Sequence, residues 1–213
     1  MFVQTFLVAG GNSTALVADC PDSRKPALIS SLLEQVEQVG FVDQAGDLPR
    51  IRMMGGEFCI NATLAFASTL GTSGSLIASG AEHPVSFTNT GGVTAIRMSM
   101  AWRKHGNIVL LEGIGFILLE KHSSEQIDKK RLSALCRNFD LPAFGAILFE
   151  NDAITPYVYV AGVDSCVRET ACGSGSVALY LHNGTSLVRQ PTGQFITVSG
   201  DREIQISARV TVM

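Results

Sequence analysis

Basic clusters, long apolar runs and paired cysteines are all missing from this chain, and each absence removes a class of protein. The 16 Lys and Arg residues are outnumbered by 19 Asp and Glu, giving a net charge of -3 and a pI near 5.8. With no basic cluster, nucleic acid is not expected as a partner. No run approaches the roughly 18 apolar residues of a membrane span. Met1-Phe2-Val3-Gln4 also lacks a charged start followed by a long apolar segment. The expectation is a soluble, unexported, cytoplasmic protein with no membrane partner. Five cysteines are too few and odd in number for a disulfide framework, and in a reducing cytosol they read as free thiols. The four histidines at 83, 105, 122 and 182 show no ligand spacing, and Cys166 and Cys172 are too far apart for a zinc knuckle, so no metal is expected. Glycines cluster at Gly173-Ser174-Gly175-Ser176, but neither Gly-Lys-Ser/Thr nor Gly-x-Gly-x-x-Gly follows, which argues against a nucleotide. No low-complexity linker interrupts the 213 residues.

What is present is one pattern written twice. Residues 57 to 71 read acid, cysteine, short polar step, apolar run, glycine, from Glu57 and Cys59 to Gly71. Glu169, Cys172 and Gly184 repeat the order, again with 12 positions from cysteine to glycine. Small polar residues after each cysteine suit a helix start, and the glycines suit a left-handed residue just past a helix end. Each cysteine is thus predicted at the amino-terminal mouth of a short helix. Ile60, Ala62, Leu64, Ala65, Phe66, Ala67 and Leu70 make the first helix apolar nearly all round, the mark of an enclosed element. The second, through Leu181, reads as similar but shorter.

The remaining pattern supports duplication. Strands are predicted over 2–8 and 14–17, then an outer helix after Pro26 carrying Leu28, Ile29, Leu32, Leu33, Val36 and Val39 and ending near Gly40. Short strands at 41–42 and 51–54 precede the first cysteine helix, and strands near 75–79, 84–89 and 93–101 follow it. After a break at 104–107 come strands at 108–112 and 114–120. A second outer helix, capped by Ser123, runs through Arg137. Strands at 144–149 and 156–161, the second cysteine helix, and strands near 186–190, 194–199 and 203–211 complete the chain. The fold class is α+β: two pseudo-symmetric halves, 1–105 and 106–213, each a mostly antiparallel, barrel-like sheet wrapped around a central apolar helix. Trp102 reads as core, and Cys20, Cys136 and Cys166 as structural.

A helix amino terminus offers unpaired N–H groups and partial positive charge, which bind carboxylates and lower the pKa of a thiol placed there. Two such cysteines facing each other across a cleft can remove a proton from one face of a carbon and return one to the other, inverting a stereocentre. The same helix ends can hold a substrate carboxylate as charge develops on the carbon. This scheme requires no cofactor. Taken singly, either cysteine would more often be a small buried hydrophobe.

Cys59-Ile60-Asn61-Ala62 and Ala171-Cys172-Gly173-Ser174-Gly175 resemble the two cysteine motifs of the diaminopimelate epimerase superfamily, whose members racemise amino acids without pyridoxal phosphate. Gly11-Asn12 is similar to that family's amino-terminal Gly-Asn, which binds substrate. The likeness is closer to the histidine racemase branch that serves opine-type metallophore synthesis. It runs through Glu34-Gln35-Val36 and Glu37-Gln38-Val39-Gly40-Phe41, Met54-Gly55-Gly56-Glu57-Phe58-Cys59, Gly145-Ala146-Ile147-Leu148-Phe149 and Gln190-Pro191-Thr192-Gly193, in order over most of the chain. The resemblance implies Cys59 and Cys172 as the acid and base pair. It implies Asn12, Asn61, Gly173, Ser174 and Gly175 around the amino and carboxylate groups of a small amino-acid substrate, and a homodimer, since members are often dimers. Glu57 and Glu169 stand two and three positions before their cysteines, placed to bind the amino group, to tune a thiol, or only to favour a helix start. Two departures stand out. Ile60 occupies the position after the first cysteine where the family has glycine, beside the substrate. Val163-Asp164-Ser165-Cys166-Val167 does not supply the Glu-Arg-Gly segment of diaminopimelate epimerases, which points away from diaminopimelate as substrate.

Two further readings keep the fold. One is an isomerase using Glu57 as base, as in phenazine-biosynthesis relatives. The other is a binding protein whose pocket Ile60 has closed.

Overall fold

The computed structural model describes residues 1–122 and 127–213. Two strands, β1 (Phe2–Val8) and β2 (Gly11–Ala18), open the chain. A 3-10 turn leads into α1 (Lys25–Leu32), then β3 (Gln38–Asp43), β4 (Arg50–Met53) and the first cysteine helix, α2 (Ile60–Ala67). Next come β5 (Ser73–Ala78), β6 (Val85–Thr90), β7 (Val93–Ser99) and β8 (Arg103–His105). After β9 (Ile108–Leu111) and β10 (Ile114–Glu120) follow α3 (Lys129–Phe139), β11 (Ala143–Glu150), β12 (Ala153–Val160) and β13 (Ser165–Arg168). The second cysteine helix, α4 (Gly173–Asn183), precedes β14 (Leu187–Arg189), β15 (Phe195–Ser199) and β16 (Glu203–Val212).

The architecture is α+β. Strands β1 to β7 pair in sequence order, β7 pairs with β16, and β16 returns to β1 through Phe6↔Val212, closing an eight-strand barrel. From β16 the sheet continues through β15, β14, β12, β11, β10 and β9 to β8, with β13 also on β12. Alternation sets each strand's inner face: Thr94, Ile96 and Met98 of β7 and Ile204, Ile206 and Ala208 of β16 are buried. The parallel pairs β2–β3 and β10–β11 need crossovers, and α1 and α3 supply them outside the sheet.

Every residue of α2 is buried, and the helix packs against β1, β2, β3, β4, β6, β7 and β16. Helix α4 packs against β9, β10, β11, β15 and β16 and touches α2. Both belong to one apolar cluster, in which Leu64, Phe66 and Leu179 are fully enclosed. Truncating Leu64 or Phe66 to alanine there costs about 2–5 kcal/mol. Separate clusters seat the outer helices, Val17, Val39 and Phe41 under α1 and Leu132, Cys136, Phe144 and Tyr159 at α3.

Several expectations are corrected. Helix α1 stops at Leu32, with Leu33 as its cap, although apolar spacing continues to Val39. Backbone from Gln38 onward pairs with β2, Thr14↔Gln38 through Ala18↔Val42, and Val36 and Val39 reach the same cluster without further helical turns. Ladder hydrogen bonds and burial of a strand outweigh a helical period at its edge. The second cysteine helix is the longer, 11 residues against 8. Gly184 caps it at φ 84°, whereas α2 is capped by Ser68 and Gly71 lies beyond the helix end. Helix α3 is capped by Asp128, whose carboxylate accepts from Arg131 N, and Ser123 lies outside the described residues. Trp102 is 38% exposed rather than core. Strand β13 was not anticipated: Asp164 turns the chain in the left-handed region just before it, a conformation aspartate tolerates. Among the described residues no helix is long and apolar enough to cross a membrane.

Candidate active site

Both cysteines cap their helices. Cys59 Sγ accepts from Ala62 N at 3.4 Å and Cys172 Sγ from Gly175 N at 3.2 Å, each three residues ahead, as a serine or aspartate cap would. Each cysteine carbonyl is also matched, by Thr63 Oγ1 at 2.7 Å and Ser176 Oγ at 2.6 Å. Asn61 joins the two helix starts, its Nδ2 donating to Ala171 O (2.9 Å) and its Oδ1 accepting from Gly173 N (2.8 Å).

The helix mouths open on one cavity of ≈ 480 Å³ counted out to its entrance. Of the sequence-predicted residues, Glu57, Cys59, Asn61, Glu169, Cys172, Gly173 and Ser174 line it. Asn12, Ile60 and Gly175 do not. Asn12 is fully buried; its Oδ1 accepts from Thr14 Oγ1, and its Nδ2 has no hydrogen-bond partner. Ile60 is fully buried and turned to Gly173, where an added Cβ would collide with Ile60 Cγ2 and stand 2.9 Å from Asn61 Oδ1. Gly175 is held between Ile147 and Cys172, where an added Cβ would lie 3.1 Å from Cys172 Sγ.

Two glutamines that sequence reasoning passed over hold the cysteines, Gln38 by the Cys59 thiol and Gln190 by the Cys172 backbone N–H. The Cys59 thiol donates to Gln38 Oε1 (2.7 Å), and Gln38 Nε2 donates to Glu169 Oε1 (2.7 Å). Gln190 Oε1 accepts from Cys172 N (2.8 Å) while its Nε2 donates to Ser176 Oγ and Val188 O, each at 3.0 Å. Both glutamines lie within segments the family resemblance singled out, yet nothing in their immediate neighbours marks them as partners of cysteines 21 and 18 positions away.

The electrostatics correct one expectation. Helix termini were expected to make both thiols acidic, but burial, and next the negative charge of Glu169, push Cys59 and Cys172 above the ordinary thiol range. Cys59 keeps some exposure into the cavity, yet desolvation still outweighs the backbone N–H groups. Glu169 is 5% exposed, and burial raises its carboxyl to about 7. Its Oε2 completes no hydrogen bond, though the Cys172 thiol and the Asn12 amide lie close enough to hold its pKa partly down. Burial also raises Glu57, whose Oε2 accepts from Gly55 N at 2.9 Å. Glu37 at the entrance is raised by burial against two bonds from Thr170, which tie its loop to the approach to Cys172. The site therefore holds two protonated thiols around a carboxyl group that titrates near neutrality. Among the described residues, no cluster of three or more His, Cys, Asp or Glu side chains is arranged to hold a metal ion.

Solved structures share this fold. A predicted epimerase from Pseudomonas aeruginosa superposes with a TM-score of 0.68 at 12% identity, covering 99% of this chain and 96% of the other. A putative phenazine biosynthesis PhzC/PhzF protein from Clostridium difficile does so at 0.62 and 11%, with the same coverage. No family model matches the chain. Fold and sequence likeness together fit the diaminopimelate epimerase-like racemase superfamily and support an isomerase of the racemase or epimerase type. The particular relatives are histidine racemases of two strains of Fusobacterium nucleatum subsp. nucleatum. Each is 27% identical, over 248 and 244 residues, spanning 95% of this chain and 91% of the relative.

Proposed function

We propose that this protein is a cofactor-independent amino-acid racemase that inverts Cα with Cys59 and Cys172 as the two proton-transferring groups, and that histidine is its substrate. One observation carries the reading: two thiols, each capping a helix, line a single cavity. One thiol, as thiolate, takes the Cα proton, and the other delivers a proton to the opposite face. The helix starts, with Asn61, Gly173 and Ser174 at the cavity wall, receive the α-carboxylate and stabilise the charge that develops as the proton leaves. Glu57 and Glu169 face the amino group, while Asn12, Ile60 and Gly175 support the wall from behind. Histidine enters through the likeness to the Fusobacterium enzymes, and the absence of Lys and Arg among the described residues of the cavity lining suits a substrate whose side chain is not an anion.

The halves 1–105 and 106–213 supply one cysteine each. The matching order of antiparallel, parallel and antiparallel pairs in β1–β2–β3–β4 and β9–β10–β11–β12 supports their kinship. A more open hollow shares Glu37, Ser165 and Val167 with the cavity and provides the way in.

Incubation with L-histidine in heavy water, followed by chiral chromatography and mass spectrometry, is expected to give D-histidine carrying deuterium at Cα. Cys59→Ser and Cys172→Ser should each lower turnover by about 10³-fold or more. Unlabelled product, or full activity in either variant, removes the proposal. A second reading, with Glu57 as the base of a carboxylate-driven isomerisation, draws on its burial at the same cavity and its raised pKa. It requires Glu57→Gln to be inactive while both cysteine variants survive.

A further inference from the structure

The hydrogen bonds that join Cys59 to Glu169 are more informative than a packing role requires. A carboxylate only accepts, so with Glu169 ionised the Gln38 amide must turn its N–H toward it, as it does at 2.7 Å. The amide oxygen then faces Cys59, which can pair with it only as a thiol. The reverse orientation is equally complete under one condition. If Glu169 carries a proton, its O–H can donate to the amide oxygen, and the amide N–H then faces Cys59, where it suits a thiolate. The amide thus has two satisfied settings, and each fixes the protonation of Cys59.

Resting on the racemase reading above, we infer that Gln38 is a positioning residue whose amide adopts one orientation for each enantiomer, holding Cys59 as proton donor in one and as thiolate base in the other. The protons balance. In the first setting the Cys172 thiol passes its proton to the neighbouring Glu169 carboxylate, and the resulting thiolate, still bonded by Gly175 N, takes the proton from Cα. Cys59 gives its thiol proton to the opposite face. The product leaves behind a Cys172 thiol, a Cys59 thiolate and a protonated Glu169, the arrangement the second setting satisfies, and total charge is unchanged. That form accepts the opposite enantiomer. Exchange of one proton with solvent, lost by Glu169 and gained by Cys59, restores the first. Glu169 is the common acceptor for both thiols, lying beside one and joined to the other through Gln38. A carboxyl group that titrates near neutrality suits that task.

The test is steady-state kinetics in both directions across pH, on wild type and on Gln38→Leu and Gln38→Glu. In wild type the acid limbs of kcat/KM for the two directions should coincide, because the two settings hold the same number of protons and one more proton turns either into the same inactive form, with both thiols and the carboxyl group protonated; separate limbs overturn the inference without recourse to any variant. Gln38→Leu keeps the bulk and removes both polar atoms. It should lower kcat by about 10²-fold in each direction with KM changed less than about threefold. Its acid limb should move about one unit alkaline, because Glu169 loses a donor that favours its charged form. A folded Gln38→Leu with kcat within about threefold of wild type, or with an unmoved limb, overturns the inference. Should Gln38→Leu show no cooperative thermal transition, Gln38→Glu decides. When protonated, a glutamic acid offers the same one donor and one acceptor as the amide, so activity relative to wild type, lost near pH 8, should partly return near pH 6. No return overturns the inference. Deuterium incorporation by wild type separates the two failures: without it the racemase reading falls and takes this with it, whereas racemisation without the Gln38 effects leaves that reading intact.

Discussion

Helices α2 and α4 begin with the same arrangement, a cysteine whose sulfur accepts from the N–H three residues on and whose carbonyl is met by a hydroxyl four residues on. Beyond that start they diverge. Helix α2 is enclosed along its whole length by the barrel, while α4 emerges, with His182 half-buried, Asn183 exposed and Lys104 Nζ bonded to His182 O at 2.7 Å. The thiols diverge too: Cys59 meets a neutral amide, and Cys172 lies beside a carboxyl group. The difference teaches that the local code only sets a sulfur at a helix mouth. Which proton it holds is decided by strands β3 and β13 and the turn after β13, arriving from elsewhere in the chain.

The comparison can be broken hardest at Asn61, which ties one helix start to the other. Asn61→Ala leaves Ala171 O and Gly173 N buried without partners and should cost about 2–5 kcal/mol in urea unfolding. Next is the carboxyl group that separates the two thiols. The Glu169 pKa is raised in the fold, so its stabilising contribution is complete below the unfolded value near 4.5 and is lost as pH rises through about 7. Wild-type stability should therefore fall across that window relative to Glu169→Gln, by about 3 kcal/mol at most. A parallel pair of unfolding free-energy curves would show that Glu169 does not titrate as described. Where the helices touch, Gly173→Ala drives a methyl into Ile60 and should cost about 1–3 kcal/mol. Ile60→Ala in the same chain should recover part of that, giving a coupling of at least about 0.5 kcal/mol in a double-mutant cycle. The smallest effect falls on an outer helix remote from either thiol: Asp128→Ala removes the α3 cap and should cost about 1 kcal/mol with kcat unchanged.

Much of this was written in the chain. The repeated cysteine spacing located both helix starts, and the fully apolar run from Ile60 to Ala67 announced enclosure. Strand positions followed from β-branched runs and from turn glycines such as Gly10 and Gly113, both at positive φ. What stayed hidden depended on tertiary partners. Val36 and Val39 keep helical spacing, and only pairing with β2 makes the second of them a strand residue. Gln38 looks like any polar residue beside a strand until Glu169, 131 positions away, is brought to it. The high pKa of both thiols was also illegible, because a helix terminus is visible in sequence and the desolvation that outweighs it is not.

Strand β16 has a consequence for how the molecule is made. Its residues Glu203 to Arg209 pair with β7 and Val210 to Val212 with β1, so this one strand is the stave that closes the barrel around α2. Between β7 and that stave the chain makes every element from β8 to β15, including the helix that Cys172 caps. A nascent chain therefore keeps a seam open beside Cys59 until the walls around Cys172 have been made, and the two sides of the pocket are sealed together rather than one after the other.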